Sequence, residues 1–243
     1  MDERISREKE RIREHIWRLL LEEKVARFPL PVRGRIPNFA GSIRAAIHLA
    51  QHEIFSKAKV IFVSPDSPQR PVRELVLKSG KILVMATPKL REGFLILHRK
   101  NISPSEIKYA STIRGAFRYG IKVELPDHKI DLKVTGSVAV TLDGRRLGKG
   151  GGYSDLEYAI LRETGNIDNN TIIATTVHDL QIVEHIPVTR HDVFLDYIFT
   201  PTRTIRTSKK FKNPSGIILE ELDEDKIAKI PILKKLLTEK FRK

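Results

Sequence analysis

The chain has 243 residues, no cysteine and a formal net charge of +14. This length allows one domain with a substantial core plus an appendage, or two small domains. The absence of cysteine excludes disulfides, thiol catalysis and cysteine-ligated zinc. No apolar run approaches the length of a membrane span, and residues 2–4 are all charged. We therefore expect a cytoplasmic protein that does not enter a membrane.

The positive charge is unevenly distributed along the chain. Residues 1–24 carry seven basic and seven acidic side chains, whereas residues 70–150 carry seventeen basic and seven acidic. Residues 201–243 carry twelve basic and six acidic. Nucleotide phosphates, a polyglutamylated small molecule or RNA would each suit such a surface. For the C-terminal tail, a solvated basic surface is the alternative interpretation.

The N-terminal part of the chain predicts two helices joined by an irregular segment. Apolar residues recur at 3.6-residue spacing over residues 3–24, and Lys9 and Arg13 lie four apart, so they project from one helix face. Three prolines between residues 29 and 37 disfavour regular structure. A second helix is predicted over residues 42–56.

Short apolar runs rich in β-branched residues predict the strands of a sheet. A helix over residues 72–78 separates the first two strands, and helices and strands continue to alternate along the chain. Continuously apolar strands in such an order favour a largely parallel sheet covered on both faces, an α/β fold. The predicted strands cover residues 60–63, 82–85, 94–97, 134–140, 172–174 and 193–198.

A glycine-rich loop follows the strand predicted over residues 134–140. Residues 144–155 contain four glycines besides Gly144, so the backbone can adopt positive φ and approach a ligand closely. A helix N-terminus follows, and its unpaired N–H groups and dipole favour an anion. Arg145, Arg146 and Lys149 add positive charge, so a phosphate site is predicted, although neither common phosphate-binding glycine motif is present. The alternative is a glycine-rich turn without a ligand.

Two aspartates near the loop are candidates for a metal site. Ser154 and Glu157 fit a capping box, in which Asp155 would complement the helix dipole. Alternatively, Asp155 holds a magnesium ion beside bound phosphates. Asp192 and Asp196 flank the start of the last predicted strand, and their even spacing predicts that they face the same side.

Residues 146–155, Arg-Leu-Gly-Lys-Gly-Gly-Gly-Tyr-Ser-Asp, resemble the Arg-Leu-Gly-x-Gly-x-Gly-Tyr-Tyr-Asp motif of the 5-formyltetrahydrofolate cyclo-ligases. Further landmarks of that family occur in the same order along about residues 5–203. The resemblance extends to the divergent methenyltetrahydrofolate synthetase domain-containing branch through residues 35–42, 136–140, 155–159 and 196–203. The other family landmarks are Lys9 with Arg13, Gln181 with Pro187, and Asp192 with Asp196.

The resemblance implies a three-layer α/β domain over residues 1–203 and a basic extension over residues 204–243. In the family, ATP phosphorylates the formyl oxygen of 5-formyltetrahydrofolate. A folate nitrogen then attacks the formyl carbon, and loss of phosphate closes the methenyl ring. Asp155 and Asp192 would hold Mg²⁺, and Arg146 and Lys149 are the catalytic candidates. The residues implied to bind ATP are Lys9, Arg13, Arg146, Leu147, Gly148, Lys149, Gly150, Gly151, Gly152 and Tyr153.

Two departures from the family concern the folate half of the site. The second tyrosine of the motif is Ser154 here, and the family's substrate-contacting glutamate is replaced by Gln69 or Arg70 in residues 64–71. Substrate contacts are therefore predicted for Arg70 and Tyr153. Three functions remain open: a cyclo-ligase acting on a folate or folate-like pterin, a related ATP-using enzyme for another small molecule, and an RNA-associated nucleotide-binding protein.

The tail supports either of two roles. Basic residues at 203–212 would suit RNA, and oligomeric state is not predicted. Apolar residues at roughly helical spacing after residue 213, with Pro231 as a kink, predict an amphipathic element that packs on the domain rather than contributing to catalysis.

Overall fold

The computed structural model describes residues 3–208, 211–222 and 224–240. Within these ranges, no helix is both long and apolar enough to cross a membrane. The helices are α1 (Glu3–Glu22), α2 (Ser42–Gln51), α3 (Glu53–Lys57), α4 (Arg70–Lys78), α5 (Ile107–Ala110), α6 (Ile113–Tyr119), α7 (Tyr153–Glu163), α8 (Glu224–Lys229) and α9 (Pro231–Lys240). The strands are β1 (Ala26–Arg27), β2 (Asn38–Phe39), β3 (Val60–Val63), β4 (Ile82–Ala86), β5 (Phe94–Leu97), β6 (Ile121–Val123), β7 (Leu132–Thr135), β8 (Ala139–Val140), β9 (Arg146–Leu147), β10 (Ile172–Thr176), β11 (Tyr197–Phe199) and β12 (Thr204–Arg206).

Among the described residues, eight strands form one mixed sheet in the order β12–β11–β10–β7–β3–β4–β5–β6. The five central strands, from β11 to β4, are parallel, and the others pair antiparallel at the edges. The chain adds β4 on one side of β3 and later adds β7 on the other. Open α/β sheets bind ligands at the carboxyl ends of strands where the order reverses in this way.

The two faces of the sheet are covered by separate apolar cores. Neighbouring residues of a strand point to opposite faces, so Ile61 and Val63 pack in a cluster with helices α2 to α6. Phe62 points the other way and packs in a cluster with α7 and α9. All four residues of β3 and of β7 are buried, as central strands covered on both sides require. The predicted α/β fold with a mostly parallel sheet is confirmed.

Helix α1 lies beside a separate two-stranded sheet formed by β8 and β9. Its apolar stripe, with Ile16, Trp17 and Leu20, shares one buried cluster with Ala139 and Leu147 of that hairpin. The 3.6-residue pattern in the sequence therefore does mark the buried face of α1. Because the hairpin leads directly into the glycine loop, this packing brings α1 close to the loop.

Three predicted elements differ from the structure. The helix predicted over residues 42–56 is two helices, because His52 has an extended backbone (φ −81°, ψ 148°) and its ring caps α3 by accepting from Ile54 N at 3.3 Å. The apolar run 134–140 is divided between β7 of the main sheet and β8 of the hairpin. The predicted strand over residues 193–198 begins only at Tyr197, because Leu195 N bonds to Gly144 O rather than to a sheet neighbour.

The predicted shared orientation of Asp192 and Asp196 is also wrong, because both precede the strand. Asp196 Oδ2 accepts from Ile173 N at the start of β10 (2.8 Å). Asp192 Oδ2 instead accepts from Lys9 Nζ (2.6 Å). Irregular backbone between them removes the alternation on which the expectation depended.

The C-terminal part of the chain is joined to both the sheet and the core. Strand β12 pairs with β11 at the edge of the sheet, and the division into domains at residue 203 stays a prediction. Ile217, Ile230 and Leu233 are buried in the cluster that contains α7. Pro231 separates α8 from α9, in keeping with the predicted kink. Of the predicted basic patch, Lys209 and Lys210 lie outside the described residues.

Candidate functional site

The glycine loop, residues 148–152, lies at the reversal point of the main sheet. Gly136 follows β7 and Asp66 follows β3, and a Cβ on Gly136 would lie 2.9 Å from Asp66 Oδ2. Arg146, immediately before the loop, donates from Nη1 to Gly136 O (3.0 Å). Lys149 in the loop pairs with Asp66 (2.9 Å). These contacts hold the loop against the carboxyl ends of β3 and β7.

The backbone of the loop requires glycine at two positions. Gly150 has φ +104° and Gly152 has φ +66°, a region that other residues rarely adopt. Gly152 is the N-cap of α7 and provides no side-chain cap, so the first N–H groups of the helix face outward from its end. The predicted capping box is wrong, because α7 begins at Tyr153 and Ser154 Oγ bonds to Thr135 Oγ1 (2.5 Å).

A buried ion pair joins Arg146 to Asp155, with Nη2 and Oδ1 2.5 Å apart. Burial opposes the charge on both groups. The attraction between the two charges outweighs this effect of burial. The pKa of Asp155 therefore lies below its ordinary value, and the pKa of Arg146 lies above its ordinary value. Asp155 is therefore an ion-pair partner as well as a first-turn residue. Arg146 Nε has no hydrogen-bond partner in the described structure.

Helix α1 contributes two cations to the same place. Lys9 is buried and pairs with Asp192, whose Oδ2 also accepts from Thr189 N at 2.6 Å. Arg13 donates from Nε to Gly148 O in the loop (2.8 Å). The predicted common face of Lys9 and Arg13 therefore does meet the glycine loop, which is 135 residues away in sequence from Arg13.

Two cavities lie on either side of the loop. The first, of about 190 Å³, is bounded by α1, the loop, residues 214–222 and Lys226. The second, of about 580 Å³, lies between the loop and the residues after β3, β4 and β7. Arg146, Gly148, Gly152 and Asp155 line both. The first cavity is also lined by Lys9, Arg13, Leu147, Gly150 and Asp192, and the second by Lys149, Gly151 and Tyr153.

Arg70, predicted to contact substrate, lines neither of these cavities within the described structure. Its guanidinium donates to Ser111 Oγ (3.4 Å) and to Lys108 O (3.2 Å). Gln69, the other candidate at this position, is buried and bonds to Thr176. The geometry gives no support to a substrate contact by Arg70, whereas Tyr153 does line the second cavity.

A buried pair of opposite charges lies beside the second cavity. Lys133 Nζ in β7 lies 3.6 Å from Glu157 Oε2 in α7 and 3.9 Å from the centroid of the Phe62 ring. Burial lowers the pKa of Lys133 to about 8 and raises that of Glu157 to about 7, while attraction between the two opposes both changes. Neither atom has a hydrogen-bond partner among the described residues, and Glu157 lines the cavity. Glu157 can therefore meet a ligand.

The donor set at the first cavity fits magnesium. Asp155 Oδ1 also accepts from Val193 N (3.3 Å), which brings Asp155 close to Asp192. Each carboxylate uses one oxygen for its ion pair, and Asp155 Oδ2 and Asp192 Oδ1 form no hydrogen bond with the described residues. In the described ranges no three His, Asp or Glu side chains cluster as a ready-made metal site. Magnesium commonly takes only one or two carboxylates, with phosphate and water completing its shell.

Three residues at the candidate site are not among those predicted from the sequence. Asp66 follows the first strand of the parallel sheet, and the rule that sites gather at carboxyl strand ends could have identified it. The sequence predicts Glu157 as part of a helix capping box, and no local pattern shows that its partner is Lys133. Lys226 in α8 also lines the first cavity, and its distance in sequence from the loop leaves no local signal.

Comparisons with known proteins agree with this geometry. The model of the 5-formyltetrahydrofolate cyclo-ligase family matches residues 5–201. Methenyltetrahydrofolate synthase domain-containing proteins of Danio rerio and Mus musculus are 41% and 42% identical over 233 and 234 residues, which are 93% and 94% of this chain. The chain spans 61% and 63% of the length of these curated relatives.

A solved structure shares the fold. The NMR structure of Aquifex aeolicus 5,10-methenyltetrahydrofolate synthetase superposes with a TM-score of 0.53 at 20% identity, covering 84% of this chain and 95% of the other. The family match includes most of α1, the glycine loop and Asp192, which are among the parts of the chain that meet at the first cavity. The chain therefore belongs to the 5-formyltetrahydrofolate cyclo-ligase family.

Proposed function

We propose that the protein is an ATP- and magnesium-dependent ligase that converts 5-formyltetrahydrofolate, or a folate-like pterin, to its 5,10-methenyl form. The observation that carries the proposal is the convergence of Lys9, Arg13 and Arg146 on a glycine loop at the N-terminus of α7. Membership of the cyclo-ligase family supplies the reaction class.

The first cavity suits the phosphates of ATP. The N-terminus of α7 and the cations at its walls favour a multiply charged anion. Arg146 stays protonated because Asp155 keeps its pKa high despite burial. Phosphoryl transfer needs positioning and charge stabilisation more than a protein nucleophile, and these residues provide both.

Asp155 and Asp192 would hold magnesium through the oxygens that their ion pairs leave available. The ion, when bound, neutralises charge that develops on the transferred phosphoryl group. The protein's own contribution at Asp155 is the guanidinium of Arg146, which lowers the pKa of that carboxyl group and keeps it ionised at the cavity wall.

The second cavity suits the pterin. Its volume of about 580 Å³ falls in the usual range for small-molecule sites, roughly 300–1,000 Å³. Ile36 and Ile113 supply apolar surface, and Asp66 and Glu157 supply carboxylates that can accept from ring N–H groups. Because Arg146 lines both cavities, it lies where a phosphoryl group would pass from nucleotide to substrate.

A related ATP-using enzyme that acts on another small molecule is the second candidate. It is favoured by the position of Arg70, which bonds to Ser111 and Lys108 away from both cavities. Ser154, at the position of the family's second tyrosine, bonds to Thr135. Both residues that depart from the family motif therefore bond to other parts of this protein.

The test is to incubate the protein with Mg-ATP and 5-formyltetrahydrofolate and to follow methenyl absorbance and phosphate release together. We expect equal amounts of both products. Lys149→Met should slow the reaction at least about tenfold, because it removes a cation proposed to stabilise the transferred phosphoryl group. The Lys149 side chain is 44% exposed, so the substitution should leave the core undisturbed. The control is Lys78→Met in helix α4, which also removes one lysine charge. ATP binding without a methenyl product would favour the second candidate, and absence of ATP binding would overturn both.

A further inference from the structure

The family match ends at residue 201, yet the first cavity has a wall from beyond that point. This wall, here called the C-terminal segment, consists of residues 214–222 and Lys226. Together with Leu147 and Leu156, its apolar members make part of the cavity wall apolar. The lining residues from the segment are Pro214, Gly216, Ile217, Ile218, Glu221, Leu222 and Lys226.

Several contacts hold the C-terminal segment in place. Ile217 N donates to Glu163 Oε2 at the end of α7 (3.0 Å), and the side chain of Ile217 is buried. Glu221 pairs with His191, the neighbour of Asp192. Just before the segment, Asn213 Oδ1 accepts from Phe194 N (2.7 Å). The wall is therefore built into the fold, which favours a specific role at the cavity.

Three cations from three parts of the chain lie against alternate glycines of the loop. A Cβ on Gly148 would lie 3.2 Å from Arg146 Nη1, and a Cβ on Gly150 would lie 3.7 Å from Arg13 Cζ. A Cβ on Gly152 would lie 3.2 Å from Lys226 Nζ. Lys226 also lies over the Tyr153 ring, 5.8 Å from its centroid. It forms no ion pair with a described residue, so its charge is available to an anion.

A third cavity, of about 320 Å³, adjoins the first and shares Gly150 and Lys226 with it. Its other lining cations are Lys89, Arg91 and Lys229, and the carboxylate facing it within the described structure is that of Asp225. The first cavity alone, at about 190 Å³, is below the usual size of a small-molecule site. A nucleotide with its phosphates would therefore extend along the loop past Lys226.

We propose that the C-terminal segment completes the nucleotide site. Lys226 binds the phosphates beside Gly152, and Ile217 and Leu222, which line the first cavity, cover the base. This inference rests on the proposed binding of ATP, and it gives a binding role to a part of the chain outside the family match.

The test is calorimetric titration of ATP into the full-length protein and two variants. Lys226→Met removes the ammonium group and keeps a side chain of similar length. The matched control is Lys234→Met, the same change at an exposed position of α9 in the same extension. We expect Lys226→Met to weaken ATP binding about tenfold, the typical effect of one charge-assisted contact, and the control to bind as the wild type does.

Hydrogen exchange of wild-type residues 214–222 with and without ATP gives a second measurement that does not depend on any variant folding. Slower exchange in the presence of ATP is expected. If the wild type binds ATP but Lys226→Met binds it equally well and exchange is unchanged, the inference is wrong and the proposed function stands. If the wild type does not bind ATP, both are wrong.

Discussion

Arg146 connects three parts of the site. Its guanidinium bonds to Gly136 after β7 and to Asp155 in α7, and it lies directly against Gly148 of the loop. Because the side chain is buried, its removal would leave the Asp155 carboxylate without its partner. A substitution of Arg146 could not separate its structural role from its proposed role in binding, so the site is better tested at neighbouring residues.

Gly150→Val should abolish ATP binding in a protein that still folds. A β-branched side chain resists the φ of +104° and would point toward Arg13, whose guanidinium carbon would lie 3.7 Å from the added Cβ. The control is Gly80→Val, which has a comparable φ of +74° but no heavy atom within 4 Å of the added Cβ. Calorimetry and thermal melting would be measured for both. Unchanged ATP affinity in folded Gly150→Val would contradict the phosphate-binding assignment.

Asp155→Asn and Asp192→Asn should each weaken Mg-ATP binding more than metal-free ATP binding, because each removes a proposed magnesium ligand. Both carboxylates form ion pairs with buried cations. We therefore expect lower melting temperatures, since each change leaves a buried cation unpaired. Asp179→Asn, at an ion-paired aspartate outside the cavities, is the control. Equal losses with and without magnesium would remove the metal role.

The Lys133–Glu157 pair predicts a pH dependence of stability. Between pH 4.5 and about 7, folded Glu157 holds a proton that the unfolded chain has lost, so stability falls as pH rises. Between about 8 and 10.5, the unfolded chain holds a proton on Lys133 that the folded protein has lost, so stability recovers. Urea unfolding across this range should show the minimum near pH 7–8.

Replacement of both members of the pair distinguishes this account from an ordinary stabilising ion pair. Lys133→Met or Glu157→Leu alone should lower the free energy of unfolding by about 3–5 kcal/mol, because a buried charge is left unpaired. The double variant should be close to wild type and should lack the minimum. A double variant less stable than either single variant would contradict this expectation.

The packing of whole helices and segments brings the residues of the first cavity together. Helix α1 packs its apolar stripe on the β8–β9 hairpin, and this docking brings Lys9 and Arg13 to the loop. The C-terminal segment approaches the same cavity from the opposite end of the chain. The site is therefore formed by elements that are far apart in sequence and that lie side by side only in the folded protein.

Truncation after Arg206 should impair both folding and ATP binding. The sequence predicted that the tail packs on the domain rather than contributing to catalysis. In the structure the deleted part contributes Ile230 and Leu233 to the core and Lys226 to the first cavity. Melting curves and ATP titration would be compared with Lys234→Met. A truncated protein that binds ATP normally would contradict the role of the C-terminal segment.

At the scale of the whole molecule, the net charge of +14 and the sheet topology act together. The reversal of strand order between β3 and β7 creates a crevice at their carboxyl ends, where the second cavity lies. On the other side of the glycine loop, the first cavity is lined by the cations Lys9, Arg13, Arg146 and Lys226. Parallel sheets leave polar loops at this edge, and here those loops carry several of the proposed site residues.

Salt should therefore weaken the binding of ATP more than that of adenosine. Cations at the cavity walls attract the triphosphate, and added ions screen this attraction over a distance of about 3 Å at 1 M salt and about 10 Å at 0.1 M. Adenosine has no charge and serves as the control. Titrations of both at low and high potassium chloride would be compared. Equal changes for the two ligands would show that the cations do not act through phosphate.

The sequence by itself determined the α/β class, most of the buried strands, the stripe of α1 and the position of the glycine loop. These features depend on local periodicity and on glycine's freedom at positive φ, so they can be recognised within a short window. Local signals also explain the errors. A continuous apolar run does not show that β7 and β8 belong to different sheets, and a Ser-x-x-Glu spacing fits a cap whether or not the helix begins there.

Only the tertiary structure decided which distant residues meet. The contact of Lys149 with Asp66, the burial of Lys133 against Glu157 and the approach of Lys226 to Gly152 all depend on strand order and helix packing. Likewise, Arg70 stands where the resemblance predicts a substrate contact, but its guanidinium donates to Ser111 and Lys108. Long-range pairing has no local pattern, because the partner of a charged side chain is set by the fold around it rather than by its neighbours in the chain.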